Sequence, residues 1–172
     1  SFTPTDDSLY DATSNETATI AISGVSGGSA SESGTQSVTI TITDNESAPT
    51  VTLATSGTSI AENSASTLTL TATLSVATYQ DVTVSIGSSG TATEGTDYGT
   101  VSDITISAGS TTGTATFDPT DDSAETDTVT ATLAITGVSG GSASESGSQS
   151  VTISILDDES VPRVTLSVSA SS

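Results

Sequence analysis

The chain has 172 residues, a formal net charge of −20 and one basic side chain, Arg163, and it contains no His, Cys, Met or Trp. Such acidity opposes binding to nucleic acid or to anionic membranes. Without His or Cys, zinc sites and Ser–His or Cys–His nucleophilic chemistry lose their residues, and no apolar run approaches the ~20 residues of a membrane span.

Roughly four residues in ten are Ser or Thr, far above ordinary usage. The apolar residues are nevertheless strictly alternated, which predicts strands with a thin core rather than disorder. Residues 17–25 predict a strand with Ala18, Ile20 and Ile22 on one face, and residues 36–43 another with Val38, Ile40 and Ile42 inward. Residues 47–50 read as a linker in which Pro49 holds Ala48 extended. A second series follows: a short strand at 51–53, a turn at 59–63 carrying Glu62, and a strand at 67–74 with Leu68, Leu70, Ala72 and Leu74 inward. Val82, Val84 and Ile86 form the next inward face. After a Gly- and Thr-rich loop at 90–99, Ile104 and Ile106, then Ala115 and Phe117, mark two short strands around a turn at 109–113. Val129, Ala131, Leu133 and Ile135 lie on a long strand, residues 137–147 read as a hairpin loop, and 149–156 form the last strand. Tyr98 and Phe117 are expected to pack in the core or at its rim, since few other large side chains exist to fill it.

The chain repeats itself. The eleven residues from Gly24 to Gly34 recur unchanged at 137–147, and Val51-Thr52-Leu53 recurs as Val164-Thr165-Leu166, both at an offset of 113. A period near 110 fits a whole sandwich domain better than a solenoid turn. The expected organisation is the back half of one unit at 1–47, a complete unit at 48–160 and the first strand of a third at 161–172. A half sandwich would expose its inward face and an open edge, so the chain reads as a window on a longer tandem array, with strands from a neighbouring molecule as the alternative.

The densest chemistry lies at 117–127, where Asp118, Asp121, Asp122, Glu125 and Asp127 fall within one short loop without a cation nearby. Carboxylates so crowded repel one another unless water or an ion screens them, and oxygen-only donors suit a hard cation such as Ca²⁺. The phrase recurs at the start of the chain, where Asp6 and Asp7 follow Phe2 and Pro4. The plain alternative is a solvated acidic loop. Asp97 also fits a turn cap, Glu94 and Asp103 read as surface acids, and Asn15-Glu16-Thr17 and Asn45-Glu46-Ser47 match the glycosylation acceptor pattern.

The alternating strands, Ser59-Ile60-Ala61-Glu62, Gly95-Thr96-Asp97-Tyr98, the Asp121-Asp122 pair and Ile155-Leu156-Asp157-Asp158-Glu159, in that order, resemble a Calx-β repeat. The resemblance implies an all-β, seven-stranded immunoglobulin-like antiparallel sandwich repeated in tandem, of a kind found in sodium–calcium exchangers and in very large bacterial surface proteins. It implies calcium at one end of the sandwich, with Glu62, Asp97, Asp121, Asp122 and Glu125 as ligands, Asp157 and Asp158 from the end of the last strand, and Asp127 as a further one. In the first, partial unit it implies Asp6, Asp7, Asp11 and Asp44. The sequence departs from the pattern in its short acidic loop and in Asn45, which replaces a terminal acid.

The expected function is therefore structural and non-enzymatic: a calcium-stiffened bead of an extracellular bacterial fibre, filament or adhesin stalk at the cell surface. Its partners would be neighbouring repeats or other copies, with neither nucleic acid nor membrane insertion. The alternative is a recognition module for a glycan or partner protein at the cell surface. That role needs an exposed aromatic or Arg hot spot, for which Tyr10 and Tyr79 are the candidates.

Overall fold

The structure, a computed structural model, describes residues 1–11 and 16–168. Among the described residues every regular element is a strand. In chain order these are β1 (Leu9–Tyr10), β2 (Glu16–Ala21), β3 (Ser37–Ile42), β4 (Thr50–Thr55), β5 (Ser59–Ala61), β6 (Leu68–Leu74), β7 (Ala77–Thr78), β8 (Val82–Gly90), β9 (Ile104–Ile106), β10 (Thr112–Phe117), β11 (Val129–Ser139), β12 (Ser144–Glu145) and β13 (Ser150–Leu156).

Two sheets form the body, in the orders β10-β6-β4-β12 and β5-β13-β11-β8-β9. Strands β4 and β5 amount to one first strand that changes sheet. Taken so, and with the two-residue β12 set aside, the body is the seven-stranded, immunoglobulin-like sandwich that the resemblance implied. Its pairings are antiparallel except β4 with β12 and β5 with β13. Val and Thr favour such half-buried, pleated positions. The inward set from one sheet is Val51, Leu53, Leu70, Ala72, Leu74 and Phe117. From the other come Val82, Val84, Ile104, Ile106, Ala131, Leu133, Ile135, Ile153 and Ile155. Tyr98 stacks on Phe117 with ring centroids 4.8 Å apart, so the two largest buried side chains fill one end of this core together.

Two segments differ from their sequence reading. Residues 59–61 are a strand rather than a turn: Ile60 is buried, and β5 pairs in parallel with β13, Ile60 opposite Ile155. The break at Gly57 lets the chain cross from one sheet to the other before the alternation resumes. The loop at 137–147 does join β11 to β13, but its centre leaves the hairpin and adds β12 to the opposite sheet, beside β4. Gly140 (φ 91°) sits so close to the Asp81 carbonyl that a Cβ there would lie 2.1 Å from it, which fixes glycine at this corner.

The β2–β3 hairpin repeats β11–β13 in register at the same offset of 113. Ala18 opposes Ile40 and Ile20 opposes Val38, just as Ala131 opposes Ile153 and Leu133 opposes Val151. In the body these apolar side chains are buried or half-buried. In the hairpin Ile20 is 48% exposed, Ile22 47% and Val38 62%, because no second sheet lies over them among the described residues. The stretch before the hairpin is laid along the body, with β1 parallel to β7 (Leu9 opposite Ala77) and the Tyr79 hydroxyl donating to Asp7 at 2.6 Å. Of the two tyrosines offered above as a hot spot, Tyr10 lies half-buried in β1, while Tyr79 is 53% exposed with its hydroxyl on Asp7. Residues 161–168 form no strand within this chain.

Phe117→Ala removes the largest apolar side chain of a core with few large residues and leaves Tyr98 without its stacking partner. It is expected to cost about 3–5 kcal/mol, read as a lower urea midpoint at an unchanged slope.

Candidate metal centre

Strand alternation carries acids into the end of the sandwich. Ile60 faces the core, so Glu62, two residues on, is turned the same way and is only 8% exposed. Its backbone is fixed by the Glu62 N–H donating to the Leu156 carbonyl at 3.0 Å, which ties the end of β5 to the end of β13. Beyond β13 the chain continues as Asp157-Asp158-Glu159. Asn63 donates its side-chain amide to Asp158 Oδ2. From the third side comes the loop after β10, in which the Asp122 carboxylate accepts the Ala124 N–H at 2.6 Å and so turns the chain locally.

These three segments bring Glu62, Asp121, Asp158 and Glu159 together, with one oxygen of each within 4.8 Å of the others. Glu62 is buried, Glu159 half-buried, and the two aspartates are exposed. Glu62 Oε1 and Glu159 Oε2 are both shielded from solvent, and neither has a hydrogen-bonding partner. The two carboxyl groups are close enough for one to donate to the other, which it can do only when it carries a proton. Burial, then Glu159, with Asp157 and Asp122 adding charge, push the Glu62 carboxyl up to about 7. A buried, unsatisfied carboxylate oxygen is costly to leave bare. Here the missing partner is a proton or a cation.

Of the ligands that the resemblance implied, Glu62, Asp121 and Asp158 lie in this group. Asp122 and Asp157 are near enough for their charge to act on Glu62, and Asp157 also accepts the Thr126 N–H at 3.2 Å. Asp97 caps its own turn, accepting the Thr93 N–H at 2.6 Å, while its carbonyl accepts from Thr120. Glu125 and Asp127 are exposed and outside the four. Glu159 was not among the expected ligands. The signal was present in the alternation, since Ile153 and Ile155 face inward and the same parity reaches Asp157 and Glu159.

The acids of the first unit gather at the other end of the body. Asp6, Asp7, Asp11, Asp44 and Glu46 line a cleft of about 220 Å³ together with Tyr79. The Tyr79 hydroxyl, then the Leu9 N–H, hold Asp7 below the usual carboxylate range. Partial burial, then Asp44, push Glu46 up. The Asp11 N–H donates to Asp44 at 3.2 Å. Of the two acceptor patterns for glycosylation, Asn15 lies outside the described residues, and Asn45 is exposed on the rim of this cleft.

No family model matches the chain, and no curated protein is similar to it in sequence. Solved structures are similar. The apo-form Calx CBD1 domain superimposes with a TM-score of 0.52 at 18% identity, over 64% of this chain and 99% of that one. CBD12 from CALX1.2 superimposes with a TM-score of 0.50 at 19% identity, over 58% of this chain and 41% of that one. At such identities the likeness concerns the fold: the sandwich has the architecture of the Calx-β domain.

Proposed function

We propose that the sandwich is a calcium-binding structural module, one bead in a tandem series that builds an extracellular bacterial fibre, filament or adhesin stalk at the cell surface. One observation carries the calcium reading. Two buried carboxylate oxygens without partners belong to Glu62 and Glu159, both members of a four-carboxylate group that contains no cationic side chain. The donors are all oxygen, as Ca²⁺ prefers, and they stand on loops that can adjust to the six to eight ligands it takes. Glu62, Asp121, Asp158 and Glu159 would hold the ion, with Asp122 and Asp157 as neighbouring donors. Bound there, the ion would satisfy the buried oxygens and join the start of the sandwich, its β10–β11 loop and its last strand at one point. The same reading extends to the cleft of Asp6, Asp7, Asp11 and Asp44 at the junction, where a cation would stiffen the joint between units. The fibre reading is supported by the 113-residue repeat, by a surface without Lys and by a single Arg, which leaves trypsin-like proteases one site in the chain.

Calcium titrated by calorimetry into the chelator-treated chain should give saturable binding. At a free concentration 100 times the dissociation constant the stabilisation is ~2.7 kcal/mol, roughly a 5–10 °C rise in melting temperature. Asp121→Asn should remove most of that rise. Absence of heat and an unchanged melting temperature between calcium and EGTA would overturn the reading.

Protons and metal compete for Glu62. In the metal-free chain its carboxyl ionises near 7 when folded and near the ordinary 4.5 when unfolded. Between these values the folded form holds the extra proton, so this group's contribution falls as pH rises from about 4.5 to 7 and its penalty is complete above that. Glu62→Gln should therefore stabilise the metal-free chain at pH 8 by on the order of 2 kcal/mol, have little effect at pH 4.5, and abolish most of the calcium response. A parent and variant with parallel melting-temperature profiles in EGTA from pH 4.5 to 8 would show that Glu62 carries no such penalty.

A further inference from the structure

We infer that Asn63 is a positioning residue of the metal centre: its side-chain amide holds Asp158 in place beside the other carboxylates before any ion arrives. The inference rests on the calcium reading of that centre. It adds how four repelling acids stay gathered in the metal-free chain.

The placement of Asn63 follows from the β5–β13 ladder. These strands pair in parallel, Ser59 opposite Ser154, Ile60 opposite Ile155 and Ala61 opposite Leu156. Asn63 and Asp158 are 95 residues apart, the same separation as every pair in that ladder. Continued past the strand ends, the register therefore sets Glu62 beside Asp157 and Asn63 beside Asp158. The backbone is still tied here. The Glu62 N–H donates to the Leu156 carbonyl at 3.0 Å, and the Ser64 N–H donates to the Ala61 carbonyl at 3.1 Å, which turns the chain just after. Alternation then divides the two side chains of the turn. Glu62, in phase with Ile60, is buried, and Asn63, out of phase, is exposed, as Asp158 is.

Like charges set opposite each other weaken a ladder, and Glu62 beside Asp157 is such a pair, with Asp157 raising the Glu62 carboxyl. Asn63 beside Asp158 reverses the sign. A carboxylate offers only acceptors and an amide nitrogen two protons, so the Asn63 amide donates to Asp158 Oδ2 and adds no charge to the group. Hydrogen bonds to an ionised partner are the stronger kind. On the other flank Thr126 does the same for Asp157: its N–H donates to Asp157 Oδ1 at 3.2 Å and its hydroxyl at 3.4 Å. The two aspartates that follow β13 are thus held by neutral donors from two different segments.

A turn alone would not require an amide at position 63. Asn, Asp and Ser all serve in turns, but Ser is too short to make this bond and Asp would repel Asp158. Partners that hold a metal's ligands by hydrogen bonds contribute to affinity without touching the ion, and losing one costs about 10–100-fold.

Calcium titrated by calorimetry into the chelator-treated 172-residue chain should therefore show a dissociation constant about 10-fold higher or more in Asn63→Ser than in the parent. Asn63→Asp, which also suits a turn but sets acid beside acid, should melt below Asn63→Ser in EGTA. A third readout needs no change at Asn63. In nitrogen-15 spectra of the metal-free parent, the Asn63 carboxamide protons should exchange with water more slowly than those of a free carboxamide, and Asp158→Ala should remove that protection. A parent without any calcium response would overturn the calcium reading and this inference with it. A parent that binds, with Asn63→Ser binding at the same dissociation constant, overturns this inference alone, even if the variant melts lower, because Asn63 would then serve the turn only. Carboxamide exchange that Asp158→Ala leaves unchanged overturns it as well.

Discussion

A side chain two residues beyond a buried one on an extended strand is turned the same way, whatever its charge. The whole architecture depends on that period of two. With Val, Ile, Leu and Ala at the inward positions it builds two sheets that close on each other, and a core this light needs nearly every inward position filled. Carried one step past the strand ends, the same alternation turns Glu62 after Ile60, and Asp157 and Glu159 after Ile155, toward the end of the sandwich. The group to which Glu62 and Glu159 belong contains no cationic side chain, so the carboxylates repel one another. The acidic end follows from the way the strands were made to pack, which is why burial and charge meet at the same few residues.

Much of this is legible in the sequence, and the parts that are not share a cause. Alternation located the body strands and their inward residues, because each decision rests on neighbours two positions away. Ser59-Ile60-Ala61 escaped, since a three-residue strand beside Gly57 offers too little pattern to be told from a turn, and its partner β13 lies almost a hundred residues on. β12 escaped likewise: Ser144 and Glu145 carry no strand propensity and are recruited only because β4 passes beside them. Of the four acids that the structure groups together, Glu62, Asp121 and Asp158 were among those the resemblance implied, and Glu159 could have been reached from parity alone. The turn cap at Asp97 was legible because its bond to Thr93 is local, whereas the separation of Glu125 and Asp127 from the group depends on the path of the β10–β11 loop, which composition does not determine.

The two copies of the loop at 24–34 and 137–147 separate local from tertiary causes. Their backbone angles agree at the three left-handed positions, and their Glu–Gln closures agree as well. Yet Gly140 is pressed against Asp81, and Gly27 has nothing within 4 Å. The loop's shape therefore comes from its own glycines and its own hydrogen bonds, and close packing only exploits it. The strands behave differently. The hairpin keeps its register without a facing sheet, but its isoleucines are left in water, so pairing is a local property here and burial is not.

The parallel pairing of β5 with β13 also decides how the sandwich answers tension. These are the first and last segments of the body, they lie side by side, and they run in the same direction. A pull between the two ends draws them past each other along their length. The bonds from Ser154 to Thr58 and from Glu62 to Leu156, both at 3.0 Å, are then loaded together in shear instead of being peeled open one after another. An antiparallel pair at the same place would unzip from its free end. Glu62 sits at the last rung of that clamp, so whatever neutralises its carboxylate acts on the rung that such a pull would load.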